Sequence, residues 1–152
     1  MIKAALFDLD GVVFETESQY SIFWGMIGRE YHPEIPDFEY RIKGQTLVQI
    51  YDKYFSEDSV FAHIKGYTDV KSEQDKITTR LNEFEKNMSY PYITGFEDFI
   101  KDLKQNGVKC AVVTSSNVQK MQNVYRQHPE FKGYFDRVLP SEDFAKSKPD
   151  PA

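Results

Sequence analysis

The chain has 152 residues, a formal net charge of −5 and no basic run. The length suits one ordinary domain, or a small core with an insertion, and 15% aromatic residues suffice for a packed core. The acidic balance argues against nucleic acid or an acidic membrane surface as a partner, and no apolar stretch approaches the roughly 20 residues of a membrane helix. The single cysteine, Cys110, fits a reducing compartment, and no signal peptide is visible. We therefore expect a cytoplasmic protein.

The first segment predicts a buried strand that ends in two acidic residues. Residues 2–7 form a nearly continuous apolar run, which is typical of a strand covered on both faces in a parallel α/β sheet. Asp8 and Asp10 follow where the strand ends, and Gly11 comes next. Since Asp and Gly are common in turns, a plain strand-to-loop turn is one interpretation. A ligand site is the other, because ligands bind at the carboxyl ends of parallel strands.

The region after the first strand is predicted to be helical. A helix at about 15–31 has Thr16 as its cap and Gln19 as the capping-box partner. The other predicted segments here are a helix at 46–55, a mixed helix and loop at 56–72, and a helix at about 77–88. This region is too long for an ordinary crossover, because a whole βαβ unit takes about 30 residues. It therefore indicates an inserted helical domain.

The rest of the chain predicts a return to alternating helices and strands. Thr94 and Glu97 fit a capping box at the start of a helix that Asn106-Gly107 ends. The apolar residues of that helix have helical spacing: Phe96, Phe99, Ile100 and Leu103. The following predicted elements are a strand at 108–113, a helix from Val118 and a short strand at 135–139.

Three motifs, in order along the chain, resemble those of the haloacid dehalogenase superfamily. The stretch from Phe7 to Val13, Phe-Asp-Leu-Asp-Gly-Val-Val, resembles the first motif. Thr114-Ser115, after the second core strand, resembles the second, and Lys148-Pro149 resembles the third. The resemblance implies an α/β fold, in which a Rossmann-like parallel-sheet core at 1–15 and 91–152 carries a helical cap at 16–90.

The resemblance also implies roles for the core residues. Asp8 would be the nucleophile that forms an aspartyl-phosphate, and Asp10 would be the general acid/base. Thr114 and Ser115 would bind the phosphate, although Ser116 or Asn117 in the same segment could simply cap the next helix. Lys148 would neutralise the phosphate and the nucleophile.

Lys146 competes with Lys148 for the third motif, but the family's lysine directly precedes the proline. A lone lysine is otherwise a solvated surface charge. Pro149 restricts Lys148 to an extended conformation after the third strand, which favours Lys148.

The cap segment carries one further match. Lys43-Gly44 resembles the Lys-Gly turn with which relatives of β-phosphoglucomutase reach the substrate phosphate, so we expect a substrate contact there. Two departures weaken the likeness to the mutases, since Tyr20 and Leu47 stand where those enzymes have His and Arg. Losing this cationic pair favours hydrolysis over mutase activity.

The resemblance implies a Mg²⁺-dependent hydrolase that acts on a small organic phosphate, such as a sugar phosphate. Its metal ligands would be the Asp8 carboxylate and the Asp10 main-chain carbonyl, and Mg²⁺ suits such hard oxygen ligands. A sugar phosphomutase is the first alternative. The second is a catalytically silent phosphate-binding module.

The family's fourth motif, a later acidic pair, has no counterpart in this sequence. We therefore expect the 152-residue chain to be a fragment with impaired activity. In family topology the missing strands would cover Ile2 to Leu9, so these residues are predicted to form an exposed edge strand. An apolar edge of this kind favours marginal stability and self-association.

Overall fold

The computed structural model describes residues 1–146, 148 and 150. The chain forms two compact units. One, the core unit, comprises Met1–Glu17 and the chain from Met88 onward; the other, the helical unit, is Ser18–Asn87.

The regular elements follow the α/β order that the sequence predicts. In chain order they are β1 (Ala4–Phe7), α1 (Glu17–Tyr31), α2 (Phe38–Arg41), α3 (Leu47–Tyr54), α4 (Val60–Lys65), α5 (Val70–Asn87), α6 (Phe96–Gln105), β2 (Lys109–Val113), α7 (Val118–Gln127), α8 (Phe131–Tyr134) and β3 (Arg137–Leu139). The short helices α2 and α8 were not predicted, because four residues give no readable periodicity.

The sheet of the core unit is parallel, with strand order β1-β2-β3 among the described residues. Ala5 aligns with Cys110, and Val112 aligns with Val138. Cys110 is buried, and this burial raises the pKa of its thiol, as expected of a structural cysteine. The carboxyl ends of all three strands lie at the same edge of the sheet.

Strand β1 is an edge strand in the described part of the chain, as the edge prediction requires. The simpler prediction, a strand covered on both faces, is wrong for these residues. Phe7 is buried and contacts the rings of Phe96 and Phe135, but Leu6, which points to the opposite face, is 73% exposed. One face of β1 is packed and the other is bare, because side chains alternate along a strand.

Side chains cap α3 and α7, and the α7 cap is one of the two residues that the sequence offers, whereas the cap of α6 differs from the prediction. Thr46 and Gln49 form a capping box at α3, and Asn117 caps α7 by accepting a hydrogen bond from the Lys120 N–H at 2.8 Å. At α6 the cap position is Gly95, with φ +87° and no side-chain hydrogen bond, so the predicted Thr94 capping box is wrong.

The apolar face predicted for α6 is narrower than expected. Phe96 and Ile100 are buried, while Phe99 is 52% exposed. Its ring edge still contacts Phe7.

The helical unit is built around an aromatic cluster. Its buried rings pack edge-to-face or tilted, as aromatic pairs prefer: Phe23, Trp24, Tyr31, Phe38, Phe55 and Phe61. No helix in the described ranges is long and apolar enough to cross a membrane.

Candidate active site

Asp8 stands at the carboxyl end of β1 with its two carboxylate oxygens in different surroundings. Oδ1 accepts a hydrogen bond from the Leu9 N–H at 2.8 Å and lies 3.0 Å from Lys148 Nζ. Oδ2 has no partner in the described part of the chain, and the side chain is 51% exposed. One oxygen is therefore held in place while the other is presented at the sheet edge.

A tight turn fixes the backbone that carries both acids. The Leu9 carbonyl accepts hydrogen bonds from the Val13 and Phe14 N–H groups at 2.9 and 3.1 Å. Gly11 has φ +77°, and a Cβ there would lie 2.9 Å from the Glu17 carboxylate. The positive φ favours glycine at the position after Asp10, whereas the Glu17 carboxylate is the end of a flexible side chain.

Asp10 is more enclosed than Asp8, since its side chain is 29% exposed. The Thr16 hydroxyl donates a hydrogen bond to Oδ1 at 2.5 Å. Lys120 Nζ lies 2.6 Å from Oδ2, and the Ser116 hydroxyl donates to the same oxygen at 3.4 Å. Both oxygens of Asp10 are therefore engaged by side chains from three separate segments.

Lys148, rather than Lys146, is the lysine beside Asp8. Its ammonium donates a second hydrogen bond to the Val113 carbonyl at 3.2 Å, which anchors it at the end of β2. Lys146 instead pairs with Asp150 at 3.5 Å. The predicted competition between the two lysines is resolved in favour of the position before the proline, although residue 149 itself lies outside the described residues.

Thr114 and Ser115 lie at the same edge, directly after β2. Thr114 is buried, and its hydroxyl oxygen accepts a hydrogen bond from the Ser116 N–H at 3.0 Å, which leaves its own proton available to donate. Ser115 is exposed and makes no hydrogen bond within the described ranges. Since Asn117 is the cap of α7, these two residues are not needed for that role.

Lys43 and Gly44 belong to the helical unit. They form an exposed turn after α2, where Gly44 has φ +78°. Lys43 Nζ lies 5.1 Å from the ring centroid of Tyr40, a cation–π distance. The turn therefore exposes the Lys43 ammonium, which lies over the Tyr40 ring.

Three polar residues around Asp10 were not among the predicted site residues: Thr16, Ser116 and Lys120. Thr16 and Ser116 were considered only as helix caps. No local signal distinguished Lys120, because a polar residue beside the apolar stripe of a helix is typical of a solvated face.

The oxygen donors present fit a hard cation in part. Asp8 Oδ2 is open, and no hydrogen-bond donor in the described residues is directed at the Asp10 main-chain carbonyl. Among these same residues there is no cluster of three or more His, Cys, Asp or Glu. Two open oxygens are compatible with Mg²⁺, which keeps several waters and uses one or two carboxylates.

The matches to known proteins agree with this site. The family profile described as haloacid dehalogenase-like hydrolase matches residues 5–152. The chain belongs to this family.

Individual relatives share the fold at modest identity. A protein of Caldanaerobacter subterraneus named as a candidate pyrophosphatase, PpaX, is 27% identical over 99% of this chain, which spans 63% of that relative's length. Among solved structures, a HAD hydrolase of family IA, variant 3, from Entamoeba histolytica superposes with a TM-score of 0.71 at 18% identity, covering 99% of this chain and 66% of the other. A candidate β-phosphoglucomutase from Bacteroides vulgatus superposes with a TM-score of 0.69 at 23% identity, covering 99% and 59%.

Proposed function

We propose that the protein is a phosphohydrolase that acts on a small organic phosphate through an aspartyl-phosphate on Asp8. The observation that carries this proposal is the asymmetry of the Asp8 carboxylate. Leu9 and Lys148 hold Oδ1, and Oδ2 stays open at the carboxyl edge of the sheet. A nucleophile needs this combination of fixed orientation and a free attacking atom.

The reaction follows from the residues around that atom. Asp8 Oδ2 attacks phosphorus, and the bond between phosphorus and the leaving oxygen breaks. Asp10 gives that oxygen a proton and later takes one from the water that attacks the phosphoryl group, which releases phosphate and restores Asp8. Lys148, Thr114 and Ser115 bind the phosphoryl oxygens and stabilise their charge.

The Asp10 carbonyl, together with the Asp8 carboxylate oxygen that does not attack phosphorus, would hold Mg²⁺, which supplies neutralising charge at the phosphoryl oxygens when bound. Lys43 in the helical unit would contact the substrate phosphate as a point charge. The location we propose is the cytoplasm, consistent with a single, buried cysteine.

The hydrogen bond that Tyr20 makes favours hydrolysis of a phosphosugar over its isomerisation. Its hydroxyl donates to the buried Glu85 carboxylate at 2.5 Å within the helical unit, so it supplies packing where the mutases carry a histidine. The name of the PpaX relative adds pyrophosphate to the candidate substrates. A sugar phosphomutase remains the runner-up, and isomerisation exceeding phosphate release would favour it.

We also propose that the bare face and edge of β1 pair with a second copy of the chain. Ile2 and Leu6 are each 73% exposed, and an apolar edge strand is a template for pairing. Sedimentation velocity of the wild type and of Leu6→Lys tests this, since a monomer unaffected by the substitution would contradict it.

The function is tested by phosphate release from a panel of phosphomonoesters and pyrophosphate, with Asp8→Asn as the test variant. Asp8→Asn should remove all measurable turnover while the protein stays folded, because an amide cannot form the intermediate. Asp102→Asn, an exposed change on α6 of the same unit, is the matched control and should keep wild-type turnover. Retained turnover in a folded Asp8→Asn protein would exclude the mechanism.

A further inference from the structure

Lys120 is a buried lysine directed at the proposed proton-transfer residue. Only 5% of its side chain is exposed, yet its ammonium lies 2.6 Å from Asp10 Oδ2. Lysine is almost never buried at this level unless it is paired. Removing one partner of a buried ion pair lowers the stability of the protein. We therefore expect this contact to hold the Asp10 carboxylate in place.

The helix that carries Lys120 is itself fixed at this end. The Asn117 side chain accepts from the Lys120 N–H at 2.8 Å, and Met121 and Val124 bury the next turn in the core unit. The carboxylate of Glu142 accepts from the Val118 N–H at 3.2 Å. The backbone from which the Lys120 side chain extends is therefore held in place.

Two further side chains, those of Thr16 and Ser116, also donate hydrogen bonds to the Asp10 carboxylate. Thr16, which is fully buried, donates to Oδ1, while Ser116 and Lys120 both donate to Oδ2. Because opposite oxygens are engaged, rotation of the carboxylate about its side-chain bonds would break at least one contact. Of the three donors only Lys120 carries charge, and charge-assisted hydrogen bonds are about twice as strong as neutral ones.

We propose that Lys120 is a positioning residue that sets the orientation of Asp10 toward the leaving-group oxygen. This inference rests on the proposed function, in which Asp10 delivers the proton to that oxygen. Misplacement of a reacting group by about 1 Å can cost roughly 10²-fold in rate. The loss should follow the leaving group's need for a proton, so it is large for an alcohol and small for a stabilised phenolate.

The test compares Lys120→Met with the wild type on an alkyl phosphomonoester and on p-nitrophenyl phosphate. The quantity measured is kcat/KM, because it reports the steps up to departure of the leaving group. We expect a loss of roughly 10²-fold on the alkyl ester and about threefold or less on the aryl ester. A merely structural role would lower both values by the same factor.

The matched control is Lys109→Met, which removes an exposed lysine of the core unit that lies 3.9 Å from Asp136. Both kcat/KM values should stay at the wild-type level. Lys120→Gln serves if Lys120→Met does not fold, because it keeps a hydrogen-bond donor while it removes the charge. The same preferential loss on the alkyl ester, of smaller size, is expected from it.

Equal losses on the two substrates, or no loss on either, would overturn the positioning role. Wild-type protein, assayed as the complete enzyme that contains this chain, would instead overturn the proposed function if it released no phosphate from either substrate. The two failures are therefore distinguishable within one experiment.

Discussion

The core unit and the helical unit use their charged residues in opposite ways. In the core unit, Asp8 and Lys148 meet at the sheet edge from distant parts of the chain and leave one carboxylate oxygen open. In the helical unit, the buried Glu73 carboxylate accepts from the Tyr31 hydroxyl at 2.9 Å and pairs with Lys76 at 2.8 Å. The first arrangement presents polar atoms, whereas the second uses them to hold helices together. Reactive chemistry is thus expected from the core unit alone.

The tripeptide His-Pro-Glu occurs once in each unit, so its surroundings in the two units can be compared directly. At 32–34 and at 128–130, it follows the end of a helix, and the histidine Nδ1 contacts the glutamate carboxylate at 2.6 and 3.0 Å. Nε2 contacts a main-chain carbonyl in each unit, that of Tyr54 and that of Tyr90, at 2.5 Å. The first histidine is buried among aromatic rings, while the second is 20% exposed. Identical local residues give identical local contacts, and the surroundings decide how deeply they are buried.

We expect the largest effect on turnover from substitution of Lys148, the lysine beside Asp8 in the core unit. Lys148→Met should lower kcat by roughly 10²–10³-fold, because it removes the cation beside the proposed nucleophile and the phosphoryl group. Steady-state phosphate release, with folding checked by circular dichroism, measures this.

Two lysines provide the comparison for that result. Lys146→Met removes a neighbouring lysine that pairs with Asp150 and should leave kcat unchanged. Lys43→Met should raise KM about tenfold at unchanged kcat, as loss of uniform substrate binding predicts. A kcat loss for Lys43→Met as large as that for Lys148→Met would contradict the inference that the core unit carries the chemistry while the helical unit only binds substrate.

The next effect concerns packing in the helical unit. A Cβ at Gly28 would lie 2.5 Å from the Phe38 Cβ, so Gly28→Ala forces α1 away from a buried ring. We expect a loss of about 1–3 kcal/mol in the free energy of unfolding, measured by urea denaturation.

Gly25→Ala is the matched control on the same helix. The nearest atoms there are the ends of the Arg29 and Glu39 side chains, at 3.3 and 3.4 Å, and these can move. This substitution should be neutral or stabilising by up to about 1 kcal/mol, since alanine favours helix. Equal destabilisation by both variants would contradict the close contact inferred at Gly28.

The smallest effect is a pH dependence of stability at the first His-Pro-Glu. Burial acts to raise the pKa of the Glu34 carboxyl, but hydrogen bonds from His32 and from the Glu34 backbone outweigh it and lower that pKa. A lowered folded-state pKa contributes stability above the ordinary value of 4.5, and the contribution is lost as pH falls through the folded-state pKa. Glu34→Gln should therefore cost about 1 kcal/mol at neutral pH, and this cost should shrink as the pH falls below 4.5 and through the folded-state pKa.

Unfolding midpoints across that pH range measure the effect. Glu130 is the counterpart in the core unit, where its backbone and His128 hydrogen bonds also lower the pKa. Because the Glu130 side chain is 48% exposed, Glu130→Gln should give a shallower pH dependence than Glu34→Gln. A steeper one would contradict the role assigned to burial.

The α/β class, most helices and the order of the site motifs were predictable because they depend on local patterns. Asp8, Thr114 and Lys148 each follow a strand or a marked loop, and parallel strands bring such positions to one edge. Lys148 was preferred to Lys146 because the family's lysine directly precedes the proline, and its ammonium lies 3.0 Å from Asp8. What a residue contacts at close range was less predictable.

The features that the sequence did not predict have one physical cause in common, because all of them depend on tertiary packing. Lys120 looks like a surface lysine until β1 and α7 are placed together. Thr16 was predicted as a cap, and nothing local indicates that its hydroxyl reaches Asp10. The apolar run of β1 predicted burial on both faces, but strand order leaves Leu6 exposed. Gly95 replaced the predicted Thr94 cap because its positive φ sets the entry to α6.

The pairing of β1 with β2 has a consequence for the nascent chain on the ribosome. Ala4–Phe7 have as their only neighbouring strand in the described sheet Lys109–Val113, which is synthesised after the whole of Ser18–Asn87. The helical unit, a continuous segment, can complete its contacts while β1 has no partner. Contacts so distant in sequence form slowly because a long loop must close first. Until β2 is made, β1 is therefore an apolar strand with unpaired backbone groups, and such a strand is prone to aggregation.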